Sequence, residues 1–175
     1  DILEVVPGLI AAQHSGSGKA QQYFLRGINL DHGTDFTNYF DDVPMNFRSH
    51  GHGQGYLDLN GIIPETVTRI DYRKGPYRAD AGDFALAGAA YMTTAKFDRP
   101  FASAEYGDYG WKRLVTGGTF DLGNGGTETA ALQWKTYNGP WQLPEDLQHI
   151  SAYLKDSRAI SLGTLDTSLS FYNGH

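Results

Sequence analysis

The chain has no cysteine among its 175 residues, which removes disulfide frameworks and thiolate metal sites and leaves the redox compartment unreadable. Positive charge is scarce too. Fourteen Lys and Arg stand against 20 Asp and Glu, for a net charge of −6, and the densest basic stretch is YRKGPYR at 72–78. That leaves no electrostatic footprint for nucleic acid, which is set aside as a partner. No apolar run approaches the length of a transmembrane helix, and no basic-then-apolar leader opens the chain. Barrel strands alternate and never produce such a run, so these absences do not exclude a membrane. The start at DILEVVPGL is what a mature protein or an excised piece would show.

What the chain does have is glycine and aromatics: 22 Gly, 11 Tyr and 9 Phe. That mixture suits strands and tight turns better than a helix bundle. DILEVV is expected to make a short helical turn ended by Pro7-Gly8, because proline biases Val6 toward extended geometry. LIAAQ, YFLRGI and YFDDVPMNF read as short strands, the last with a tight turn at Asp41-Asp42. A further short helix is expected around Pro64-Glu65-Thr66, followed by the β-branched strand VTRIDY and a strand at 89–95.

After KFDRP the texture changes to longer alternating strands separated by turns, among them WKRLVTGGTFDL, the turn GNGG and TETAALQWKTY. In the last strand Leu165, Thr167, Leu169 and Phe171 share one face, and Thr164, Asp166, Ser168 and Ser170 the other. Ala130, Leu132 and Trp134 likewise oppose Thr129, Gln133 and Lys135. A membrane barrel with a polar lumen requires this dyad, and a soluble antiparallel sandwich produces the same one. Trp111, Trp134 and Trp141 fit either, as interfacial girdle residues or as core aromatics.

Two polar loops carry the candidate chemistry. FRSHGHGQGY (47–56) places His50 and His52 on the same side of an extended segment, as two ligands of one metal would be. Asp31, His32 or His14 would have to supply a third ligand, and the sequence by itself assigns neither a dedicated metal site nor a cofactor. NLDHGTDFTN carries Asp31, His32 and Asp35. Adjacent residues such as Asp31 and His32 rarely converge on one substrate atom, and no nucleophile motif accompanies them, so no enzyme activity is expected. HSGSGK resembles the end of a phosphate loop but fails its pattern at Gln13 and Ala20.

Four segments, in order, resemble the plug domain of TonB-dependent outer-membrane receptors: EVVPGLI, YFLRGI, YFDDVPMN and TRIDYRKGPYRADAGDFALAGAAYMTT. The last is similar, without a gap, to the family pattern RIEVLRGPxSxLYGxGAxGGxINIxT. Arg69, Ile70, Gly75, Pro76, Gly82, Ala85, Leu86, Gly88 and Thr94 are all in place. Lys74 stands where the family has the arginine of RGP, Ala87 replaces one of the paired glycines, and Tyr91 the asparagine of INI. In the family, plug arginines pair with barrel carboxylates, a contact for which lysine lacks the planar fork.

The resemblance implies an α+β architecture: a small mixed-sheet plug with short helices at 1–96, then antiparallel hairpins at 97–175 that begin an incomplete transmembrane β-barrel of about 22 strands. It implies part of an outer-membrane receptor of a Gram-negative bacterium that binds a scarce extracellular ligand (siderophore, metal chelate, cobalamin or glycan) and imports it into the periplasm. The partners would be the ligand, outer-membrane lipid and the periplasmic TonB energising complex. The loop after the DGVP strand is an apex that touches substrate in the family. Asn46, Arg48, His50, His52, Gln54 and Tyr56, with Asp31 and His32 of the neighbouring loop, therefore become substrate-contact candidates, their glycines 51, 53 and 55 expected to fold the loop tightly. A free-standing soluble β-rich ligand- or metal-binding module is the alternative.

Overall fold

The computed structural model describes residues 2–123 and 125–175 and divides into two compact units, one of residues 1–59 and 67–94, the other of residues 60–66 and 95–175. Residues 60–66 thus leave the first stretch of chain to pack with the second.

In the first unit, β1 (Leu9–Ala12), β2 (Gln22–Leu25) and β3 (Ile28–Asn29) form an antiparallel sheet. YFLRGI, expected as one strand, is a hairpin. Arg26 and Gly27 take φ of 52° and 81°, and this two-residue turn pairs Leu25 with Ile28. A second sheet has the order β5-β4-β7-β6, built from β4 (Phe36–Phe40), β5 (Val43–Pro44), β6 (Val67–Lys74) and β7 (Gly88–Thr94). Its β4/β7 pair is parallel, and its other pairs are antiparallel. Asp41 and Asp42 both have positive φ and make the expected tight turn between β4 and β5. The Asp41 carboxylate accepts from the Thr94 N–H (2.9 Å) and the Thr94 hydroxyl, which ties this turn to the end of β7. Tyr91 stacks on Tyr39 at 5.2 Å, and Lys74 donates to the Pro7 carbonyl at 2.5 Å, so two of the three departures from the family pattern have partners inside this unit. Leu3, Val6, Tyr23, Leu25, Leu30, Phe36, Leu57 and Met92 form its buried interior. Burial pushes the Tyr23 hydroxyl well above the usual tyrosine range, with the Asp58 carboxylate adding to the effect. The helical segments are single 3-10 turns, at Ile2–Val5, Ala79–Ala81 and, in the other unit, Pro64–Thr66.

The second unit is one antiparallel meander, β12-β11-β10-β9-β8. Its strands are β8 (Phe101–Tyr106), β9 (Lys112–Gly123), β10 (Gly126–Tyr137), β11 (Leu147–Ile160) and β12 (Gly163–Gly174). Asn124, in the expected GNGG turn, lies outside the described residues. One face of the sheet is covered, with Val115 and Ala131 packing on Ile63 of segment 60–66. That covered face also carries buried Thr129, Gln133, His149 and Ser151. The opposite face is apolar and open: Leu114, Leu132, Trp134, Ile150, Leu154, Leu169 and Phe171 are all exposed, Leu169 by 68%. Cross-strand register sets Leu114 opposite Trp134, Trp134 opposite Ile150 and Leu154 opposite Leu169, so these side chains form a continuous patch.

Segment 60–66 is anchored by charge as well as by Ile63. Arg113 donates to both Glu65 carboxylate oxygens (2.7 and 2.6 Å), to Glu105 (2.8 Å) and to Gln133 (2.7 Å). Such a bidentate fork is among the stronger charge-assisted contacts. Burial alone would push the Glu65 carboxyl up; the hydrogen bonds and charge of Arg113 outweigh it and hold the group below the ordinary glutamate range. A depressed folded value means the stabilisation is present above the unfolded value and lost as pH falls through the folded one. The wild type should therefore be more stable than Glu65→Gln at neutral pH, with the difference closing only as the solution becomes more acidic than the ordinary glutamate range. Unfolding midpoints of the two proteins across acid pH check this, and a difference independent of pH would contradict it.

Candidate ligand-binding site

Three loops of the first unit bring their polar side chains together: the β1–β2 loop with His14, the β3–β4 loop with Asp31 and His32, and the loop after β5 with residues 47–56. Each is held by specific backbone chemistry. In the β3–β4 loop, Asp31 takes φ of 48°, a left-handed turn that aspartate tolerates, and its N–H is capped by the Asn29 side chain at 2.8 Å. The Asp31 carbonyl accepts from the Tyr23 N–H, and the His32 carbonyl from the Leu57 N–H at 2.7 Å, which joins this loop to β2 and to the end of the third loop.

The third loop closes through the Phe47–Tyr56 bridge. Gly55 is the glycine this closure requires. Its φ is 78°, and an added Cβ would lie 2.6 Å from the Phe84 ring and 2.9 Å from the Thr34 carbonyl oxygen. Gly51 and Gly53 have open space around them and no positive φ, so the expectation that all three glycines fold the loop is corrected to one. Asn46, expected among the substrate contacts, instead points inward and is 8% exposed. Its carbonyl oxygen accepts from the Asn38 N–H (2.7 Å), and its amide donates to the carbonyls of Gly33 (3.0 Å), Phe36 (3.2 Å) and Gly55 (2.9 Å). It positions the loops; it does not present itself at the surface.

The segment carrying His50 and His52 bends, and the two rings make different contacts. His50 lies flat on Tyr56 (4.0 Å between centroids, 10° between planes) and its Nδ1 accepts the His52 N–H at 3.1 Å. His52 packs edge-on against His32 at 4.6 Å. His32 is the hub: 4% exposed, with Nδ1 3.0 Å from the Gln21 carbonyl, Nε2 3.4 Å from His14 Nε2 and 3.7 Å from the Asp31 carboxylate. Tyr56 borders the cluster at 5.6 Å from His32 and 5.8 Å from His52, its hydroxyl raised above the ordinary range by burial and by Asp58. Arg48 and Gln54 are exposed on the same loop. His14, 18 residues from His32 in the chain, has no sequence signal beyond being a histidine in a polar loop; only the fold brings it here.

The cluster therefore offers imidazoles, a carboxylate and an aromatic face, the side-chain types that contact polar or charged small molecules. Because Gly55 and Asn46 hold the loop, Gly55→Ala should displace it, whereas Gly53→Ala should leave it in place. Asn46→Ala leaves buried backbone groups unpaired, at about 1–3 kcal/mol per group left unsatisfied. Amide hydrogen exchange around residues 33–38 and 55–57 checks both. Faster exchange in Gly55→Ala and Asn46→Ala but not in Gly53→Ala is the expected outcome, and equal protection in all three would contradict it.

The TonB-dependent Receptor Plug Domain family model matches residues 1–89. Among solved structures, the chain is similar to a variant of the ferric enterobactin receptor PfeA from Pseudomonas aeruginosa in complex with enterobactin, at 17% identity and a TM-score of 0.69, over 99% of this chain and 30% of that one. It is also similar to the siderophore receptor PirA from Acinetobacter baumannii (17% identity, TM-score 0.67, 99% of this chain and 29% of that one). A third likeness is to the siderophore receptor PiuA from Acinetobacter baumannii (16% identity, TM-score 0.64, 97% of this chain and 23% of that one). The chain thus spans less than a third of the length of these receptors, and at such identities the likeness speaks for the fold. With half its length matched by the family model, the chain belongs to the TonB-dependent receptor plug domain family.

Proposed function

We propose that this chain is the plug (1–96) and first barrel strands (97–175) of an outer-membrane receptor that captures a scarce extracellular ligand on the His32–His52–Tyr56 loop cluster and imports it into the periplasm. The observation that carries the ligand surface is the convergence of His14, Asp31, His32, His52 and Tyr56 from three separate loops. Arg48, His50 and Gln54 on the same loop extend that surface, and Asn46 holds it from beneath. PiuA and PirA, two of the structural neighbours, are siderophore receptors, which makes a siderophore or another metal-bearing ligand the favoured class.

The antiparallel meander of the second unit supports the membrane half of the reading. A soluble sheet buries its apolar face and wets its polar one; here the covered face holds Gln133, His149 and Ser151 while the leucines, Ile150, Trp134 and Phe171 stand open. Lipid is the solvent that suits such a face, and a lumen the setting that suits the other. No helix among the described residues is long and apolar enough to cross a membrane, so strands would do the crossing. Transport needs no covalent chemistry: ligand settles on the loops, and force from the TonB complex on the periplasmic side rearranges the plug to open a path.

Leu169→Arg should destabilise bilayer insertion by about 2–4 kcal/mol if the position lies near the midplane. An unchanged folding free energy in lipid would count against a lipid-facing β12. For the ligand surface, the full-length receptor is purified, its co-purifying small molecule identified by mass spectrometry, and binding and uptake measured. A His50→Ala/His52→Ala receptor, correctly inserted, should bind and import that molecule several-fold less well. Wild-type uptake by the double variant would reduce residues 47–56 to a structural turn.

A further inference from the structure

His32 is oriented as metal-ligating histidines are. Its Nδ1 faces the Gln21 carbonyl at 3.0 Å, so Nδ1 carries a hydrogen and donates it. In the neutral ring this leaves the Nε2 lone pair directed away from Gln21, toward His14 and Asp31. A backbone carbonyl on one ring nitrogen is the usual outer partner that fixes tautomer and ring angle when the other nitrogen binds a metal. What Nε2 then faces is unusual: the acceptor-only Asp31 carboxylate at 3.7 Å and a second ring nitrogen, His14 Nε2, at 3.4 Å. The carboxylate and the Nε2 lone pair of His32 need a cation or a proton between them, and His14 Nε2 meets His32 either as an N–H donor or, once deprotonated there, as a fellow ligand.

The spacing fits an ion. Two nitrogens each 2.0–2.1 Å from a tetrahedral centre lie about 3.3–3.4 Å apart, and the His14–His32 separation is 3.4 Å. Independently of His14, one ligand atom each from Asp31, His32 and His52 lie within 4.8 Å of one another. His32 belongs to both sets. It is buried, while Asp31, His52 and His14 are exposed, so the cluster opens to solvent on one side and is fixed on the other. His50 lies outside the set, its Nδ1 occupied by the His52 N–H and its ring laid on Tyr56.

We propose that Asp31, His32 and His52, with His14 beside His32, form a binding site for a divalent transition-metal ion. Two or three imidazoles with one carboxylate suit borderline ions of the zinc, cobalt, nickel and copper group and suit magnesium or calcium poorly. The proposal names the ligand class of the loop cluster and rests on reading that cluster as a ligand surface. It concerns direct coordination by the protein and is tested without transport.

The test uses the full-length receptor, metal-stripped and purified in detergent, titrated with Zn²⁺ by calorimetry and with Co²⁺ by visible absorption. Wild type should bind a single equivalent and give the intense absorption of a tetrahedral cobalt site. His32→Ala, His52→Ala and Asp31→Asn should each weaken binding by about tenfold or more, while His175→Ala, a histidine of the second unit, should not. Should the buried His32→Ala fail to insert, His52→Ala and Asp31→Asn carry the test, because both residues are exposed and asparagine tolerates the same backbone turn. No stoichiometric binding, or binding indifferent to His52→Ala and Asp31→Asn, overturns the metal site. If the co-purified molecule nonetheless loses affinity in the His50→Ala/His52→Ala receptor, the ligand surface stands without the metal. Metal binding by a receptor whose uptake ignores these residues would do the reverse.

Discussion

The amide of Asn46 is the joint on which the first unit's loops depend. One buried side chain accepts from Asn38 on β4 and donates to three carbonyls, at Gly33, Phe36 and Gly55. Those carbonyls belong to the loop carrying Asp31 and His32, to the start of β4, and to the loop carrying His50 and His52. A polar group this buried is costly unless fully paired, and full pairing is also what makes it specific: only one arrangement of the two loops satisfies all four contacts. The sheet thereby sets the spacing of residues that no sheet contains.

A second constraint governs the other unit. Segment 60–66 carries one charge and one apolar side chain onto the covered face of the meander, Glu65 onto Arg113 and Ile63 onto Val115 and Ala131. The arginine, at 10% side-chain exposure, has its guanidinium nitrogens engaged by Glu65, Glu105 and Gln133. This offsets the cost of placing a charge on a covered face.

Much of the architecture was legible because it rests on local chemistry. The turn at Asp41-Asp42, the helical turns at 2–5 and 64–66 and the long alternating strands after residue 100 follow from turn residues, proline and period-two patterning. Periodicity does not tell which face of the alternating strands is covered, because it is identical for a sandwich and a barrel; only the fold puts Leu132 and Trp134 on the open side. YFLRGI reads as one strand because a single Arg-Gly inside an apolar run does not announce a two-residue turn, and nothing local forces both residues into positive φ. Placing His50 and His52 on one side assumes extended backbone; the segment bends, and His50 lies flat on Tyr56 while His52 packs edge-on against both His32 and Tyr56. His14 and the inward turn of Asn46 depend on contacts between loops far apart in the chain, which spacing does not encode.

On the proposed function, loops from three places in the plug form one ligand-binding surface around His32, His52 and Tyr56. A structure of the full-length receptor with its co-purified ligand tests it most directly. Ligand density is expected in contact with His52 and Tyr56, with the 47–56 loop still closed through Gly55. Ligand density lying wholly elsewhere, with these side chains contacting nothing but each other, would contradict it.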